Sequence, residues 1–232
     1  MSARSSGAAP RRRVVAMAGA LLALAACSSA GSKAGDSTPG RATTTTSATG
    51  SVATDPAPGL SKEQAASMLA SFDPASADSN GLVTHENDPA VVAAAADALS
   101  ADATGWTKWA ATFVWANAGD SVEPLMRLLA DADPAIRLMA AAGVLGRGRV
   151  EGFDPLIAAL DDTSVLGGSE PPVMAWTFAT NMLVSLTGEA TNGPPFDADT
   201  GQRQAAKLKW TAWLAAHRGA LKFDSTSGRW TW

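Results

Sequence analysis

Few side chains in this chain of 232 residues are equipped for chemistry. It carries one cysteine, Cys27, and two histidines, His85 and His217, with eight tryptophans and no tyrosine. A metal-binding histidine pair sits at i, i+4 on one helix face, or beside cysteines. His85 instead stands in a polar stretch next to Glu86. His217 closes a helical pattern, where a cation suits the macrodipole. No Gly-x-Ser-x-Gly elbow occurs, and Gly146-Arg147-Gly148 is not a phosphate loop. Asp197-x-Asp199-x-Gly201 opens like a calcium loop but lacks the third acidic ligand and the distal Glu. A capped helix start at Asp199 or Thr200 accounts for it better. Asp131, Asp133, Asp161 and Asp162 fall at loops and helix starts, where capping comes before metal ligation. The reading is therefore no enzyme, no cofactor and no metal.

Tryptophan is the residue type left with a role to find. Trp106 and Trp109, like Trp210 and Trp213, are spaced i, i+3 and share a helix face. Rings of this size either fill a core or present a sticky patch to a partner or a sugar. Core filling is the expectation for most of them. Trp106, Trp230 and Trp232 are the candidates for partial exposure and partner contact.

The elements that position these rings follow from a pattern that occurs twice. Glu123-Pro124-Leu125-Met126-x-Leu128-Leu129-x-Asp131 is matched by Asp154-Pro155-Leu156-Ile157-x-Ala159-Leu160-x-Asp162, an offset of 154 − 123 = 31 residues. A helical unit recurring at this period marks a stacked array. Between the copies, Asp133 is a good N-cap and Pro134 a good first helical residue. From there Ile136, Met139, Ala140, Gly143 and Val144 mark one face, and Leu138, Ala141, Ala142 and Leu145 a second. A helix apolar on two faces must be sandwiched between neighbours. Gly146 and Gly148 are expected to supply a left-handed stop. The unit is thus a long inner helix, a tight loop and a short partner.

These residues resemble the HEAT-like repeats of bacterial proteins over about 45 residues. The later run Leu186-Thr187-Gly188, Phe196, Asp199, Arg203, Ala206, Trp210 and Trp213 is similar to the closing segment of many such proteins. The resemblance implies an all-α fold: a short right-handed α-solenoid of HEAT-like helical pairs. It also implies a protein-binding scaffold more often than an enzyme. The Asp and Arg of Asp133-Pro-x-Ile-Arg137 have no counterpart after Asp162, which weighs against a ladder of loop salt bridges along the stack.

The N-terminus reads as an address. Arg4 and Arg11–Arg13 form a basic region, followed by an apolar run from Val14 to Ala26, too short for an ordinary membrane span. Leu24-Ala25-Ala26-Cys27 resembles a bacterial lipobox. The resemblance implies a signal peptide over 1–26, lipidation of Cys27, and a cell-membrane protein held by its lipid on the extracytoplasmic face. Residues 27–59 are the lipidated cysteine and a Thr/Ser/Pro-rich tether with too few large apolar residues to fold. Cleavage before Cys27 removes four of 18 basic residues and none of 22 acidic ones, leaving 14 − 22 = −8. An acidic body argues against nucleic-acid binding, which needs a basic stripe.

Residues 60–232 form one helical domain, large enough for a real core. Ser61-x-x-Gln64 predicts a capping box and Asp88-Pro89 a second capped start. Residues 73–87 read as a polar loop around Asn80-Gly81. A helix opens after Thr104, and another at Pro171-Pro172 that Gly188 stops. A further helix spans Gln202–His217. Leu221–Phe223 and Arg229–Trp232 flank turn residues and predict a small C-terminal β-hairpin cap. The sequence points to an interaction scaffold with a protein or peptide partner. The alternative is a cell-wall or carbohydrate-binding lipoprotein that uses tryptophan faces.

Overall fold

The computed structural model describes residues 59–74, 80–167 and 172–232. The expected signal peptide, Cys27 and the expected tether up to residue 58 lie outside the described residues, as does Pro171.

Helix starts follow local chemistry. α1 (Lys62–Ala70) opens on the expected capping box: Gln64 N donates to Ser61 Oγ and Ser61 N donates to Gln64 Oε1. α2 (Asn80–His85) comes next. α3 (Pro89–Ser100) and α6 (Pro134–Leu145) both begin Asp-Pro, with Asp88 and Asp133 accepting from Ala90 N and Ala135 N. The remaining helices are α4 (Gly105–Ala118), α5 (Glu123–Leu128), α7 (Phe153–Ala158), α8 (Ala175–Thr187) and α9 (Thr200–His217). Asp199 caps α9 in a capping box with Gln202, so the acidic pair before Gly201 does start a helix. α8 ends as expected, on Gly188 at φ +82°.

Three local expectations change. The stretch expected as a loop contains α2, because Leu82 buries fully against the core and its segment coils to present it. Gly146 stays right-handed at φ −64°, and Gly148 at φ +72° makes the left-handed turn one residue pair later. The helix expected from Pro171-Pro172 begins only at Ala175. Val173–Met174 (β2) pairs antiparallel with Val165–Leu166 (β1) instead. Ala175 N and Trp176 N then donate to Ser164 O and Asp162 O, so loop carbonyls supply the acceptors that a side-chain cap gives elsewhere.

The packing order runs along the chain. α1 lies on α3 and α4, α3 on α4, α4 on α6, and α6 on α8. The short α5 and α7 each lie against the long helix that follows. α6 is buried on all sides, from Ile136 through Leu145 except Arg137, as its two apolar faces require. Gly143 permits the close approach: a Cβ there would sit 2.7 Å from Leu125 Cδ1 and 2.9 Å from Ala116 Cβ, so α4, α5 and α6 meet at this point. Among the described residues helices dominate, and the strands make two small antiparallel pairs. The C-terminal hairpin, β3 (Lys222–Asp224) and β4 (Arg229–Thr231), sets Phe223 opposite Trp230. It covers the edge where α6, α7 and α8 meet: β4 lies on α8, Trp230 packs on Phe153, and Phe223 sits over Gly148.

Candidate interaction surface

Six of the eight tryptophans are buried: Trp109, Trp115, Trp176, Trp210, Trp213 and Trp230. Trp230 corrects the expectation of exposure. Its ring is 2 % exposed because it packs between Phe153 and Phe223, while Trp232, just past β4, stays outside. Trp106 and Trp232 are the two exposed rings, at 42 % and 45 %.

Trp106 stands on a built platform. Phe72, Trp109 and Phe113 stack nearly parallel, with centroids 5.2 and 5.8 Å apart, and Trp106 meets Trp109 edge-on at 6.3 Å. The buried stack fixes the base of a ring whose upper surface faces water. Trp232 sits differently, edge-on to Trp213 at 5.1 Å and beside His217 at 5.2 Å. His217 therefore lines an aromatic corner. The indole N–H groups of Trp210, Trp213 and Trp230 reach no acceptor, which marks these rings as packing elements. In neither i, i+3 pair are both rings open: Trp109 is buried beside Trp106, and Trp210 and Trp213 are both inside.

Charged residues form a regular row. Lys108 pairs with Asp131, and Arg137 Nη2 lies 3.7 Å from Asp162 Oδ2. Lys108 and Arg137 are each the fourth residue of their helix, α4 and α6, and the two acids are one repeat apart. The ladder that the lost Asp-Pro motif weighed against therefore has two rungs. At the fourth place of α8 the residue is Phe178, so the third basic group is missing. Lys207 of α9 takes its place, donating to Asp161 at 2.8 Å.

Arg147 carries a role that nothing in its neighbourhood announced. Its Nη1 donates to Ala116 O and Gly143 O, and its Nη2 to Trp115 O and Gly119 O, all within 2.9 Å. These carbonyls lie at the C-terminal ends of α4 and α6, where backbone donors run short; Trp115 O also accepts from Gly119 N. One guanidinium thus closes two helices and ties them together, a favourable place for a cation.

Glu86 is the buried acid, 4 % exposed, accepting from Asn117 Nδ2 at 3.2 Å. Burial raises its pKa, and hydrogen bonds from Asn117 and Asn87 offset this only in part. A carboxyl raised in the fold adds stability below its ordinary value, and that contribution is lost as pH rises through the folded value. Glu86→Gln is therefore expected to raise the melting temperature at neutral and alkaline pH. The gain should vanish in acid, below the usual glutamate range. Thermal melts of both chains across pH check this; an equal gain at every pH refutes it. His85, beside Glu86, is half-buried at the end of α2 and helps hold the Asp88 carboxyl low, after the Leu60 and Ala90 amides.

Among the described residues no cluster of three or more His, Cys, Asp or Glu is arranged to hold a metal. No helix among them is long and apolar enough to cross a membrane. Cys27, the expected lipid site, lies outside the described residues. The class defined by fold and surface is a mostly helical protein with a small terminal hairpin and one aromatic platform. No family model, curated protein or solved structure matches the chain.

Proposed function

We propose that this chain is a membrane-anchored extracytoplasmic lipoprotein whose HEAT-like helical pairs form a short right-handed α-solenoid and act as a protein interaction scaffold. One observation carries the reading: Trp106, half-exposed, is held on the buried Phe72–Trp109–Phe113 stack. A rigid aromatic anchor on a desolvated base is the usual centre of a protein contact. The succession α4 on α6 on α8, with short helices between, supports stacked pairs. A sugar platform has less support, because an extended ligand needs two open rings over one groove. The acidic balance weighs against nucleic acid as a partner.

The test uses intact cells and the full chain with a photo-crosslinker in place of Trp106. A single envelope protein should be captured from position 106, and not from Thr226 in the hairpin turn. Adding Cys27→Ala should move the chain from the membrane to the soluble fraction. Equal capture at both positions rejects the platform. An unchanged membrane fraction rejects the anchor.

A further inference from the structure

We propose that the outer face of α9 pairs with the same face of a second copy of this chain, the two helices running antiparallel. α9 is 18 residues long and buries Arg203, Ala206, Trp210, Trp213 and Leu214 on its inner side. Its outer side carries Gly201, Ala205, Leu208, Ala212, Ala215 and, just past its end, Gly219, all exposed. Leu208 is 71 % exposed. The successive steps are 4, 3, 4, 3 and 4 residues. That alternation is a coiled-coil seam, which another helix fills best. A free helix face in water is normally polar. The C-terminal hairpin does not cover this one, since it lies on α8 and α7.

Two features identify the occupant as a second copy. The seam reads nearly the same from both ends: 201 with 219, 205 with 215 and 208 with 212 are each centred on position 210, because each pair sums to 420. A two-fold axis there sets glycine against glycine and alanine against alanine. It also drops Leu208 of each copy over Ala212 of the other. Self-complementarity about one point is what a two-fold interface demands. The charges agree. Asp197 stands just before α9 and Lys222 follows its end, whereas Arg218 is already held by Asp154 and Asp199 caps its own helix. Antiparallel pairing brings Asp197 of one copy towards Lys222 of the other and opposes the two macrodipoles. Asp197 and Lys222 make no ion pair among the described residues, so both are free to do so across the axis. Lys209, on the flank near the axis, is the one like-charge cost.

One helix, about 27 Å long, covers less than the ~1,200 Å² at the lower end of standard interfaces. Association is therefore weak in free solution, with a dissociation constant on the order of 0.1 mM.

Sedimentation equilibrium tests this on the full chain carrying Cys27→Ser, so that neither thiol nor acyl chain can join two copies. A monomer–dimer equilibrium is expected. Ala212→Leu should weaken it at least tenfold, because Leu208 and the new leucine collide at the axis. Leu208→Ala should weaken it likewise by emptying the knob. The double variant Leu208→Ala/Ala212→Leu should restore it, since knob and hole merely exchange places. Both positions face water, so circular dichroism should show the monomer fold unchanged. A monomer at every concentration overturns the proposal. A dimer indifferent to these variants, or one the double variant fails to restore, overturns it too.

Discussion

Trp213→Ala is expected to lower stability by about 3–5 kcal/mol, the range for emptying a large buried aromatic site. The ring is buried and touches Trp210, Phe153, His217 and Trp232 at centroid distances of 5.3, 5.8, 5.4 and 5.1 Å. Its N–H donates to nothing, so the loss comes from packing and desolvation alone. At the size of this domain the melting temperature should fall by roughly 10 °C. The cavity joins α9, α7 and the hairpin, so a single unfolding transition should move as one. A loss below about 1 kcal/mol in chemical denaturation would show that the ring is not core.

Arg147→Ala is the second large effect, with an expected cost of roughly 3–5 kcal/mol. Each hydrogen bond to a charged donor contributes about 1.5–3 kcal/mol, and the four here share one group and do not add. The substitution also leaves carbonyls of α4 and α6 without donors at helix ends. Arg147→Lys should recover only part of the loss. An ammonium presents its donors from one point, whereas the guanidinium fork spans carbonyls of two helices. Urea unfolding of the three chains checks this; a lysine variant as stable as arginine would show that charge alone is needed.

Much of the fold was legible because its signals are local. Ser61-x-x-Gln64, Asp88-Pro89 and Asp133-Pro134 start helices in whatever context they occur, since the cap is made within four residues. The terminal hairpin was legible from its alternation, and burial of most tryptophans from their helical spacing. The misses have non-local causes. α2 forms in a polar stretch because Leu82 finds the core. α8 starts late because Val173 and Met174 pair with Val165 and Leu166.

Of the candidate surface, Trp106 and Trp232 were legible and Trp230 was not. Trp230 on β4 and Trp232 just past its end are two residues apart, so strand alternation alone gives them one face. Only packing on Phe153 buries the first and leaves the second at the rim.

The sequence by itself determined the capped helix starts at Ser61, Asp88, Asp133 and Asp199, the period of the repeated segments and the acidic, cysteine-poor body. Each of these depends on residues close together in the chain. The tertiary structure decided which rings stay open, that Glu86 is buried, that Arg147 closes two helices, and that the outer face of α9 is left bare. Those outcomes depend on which surfaces meet, and residues 30 or more apart carry no local mark of meeting.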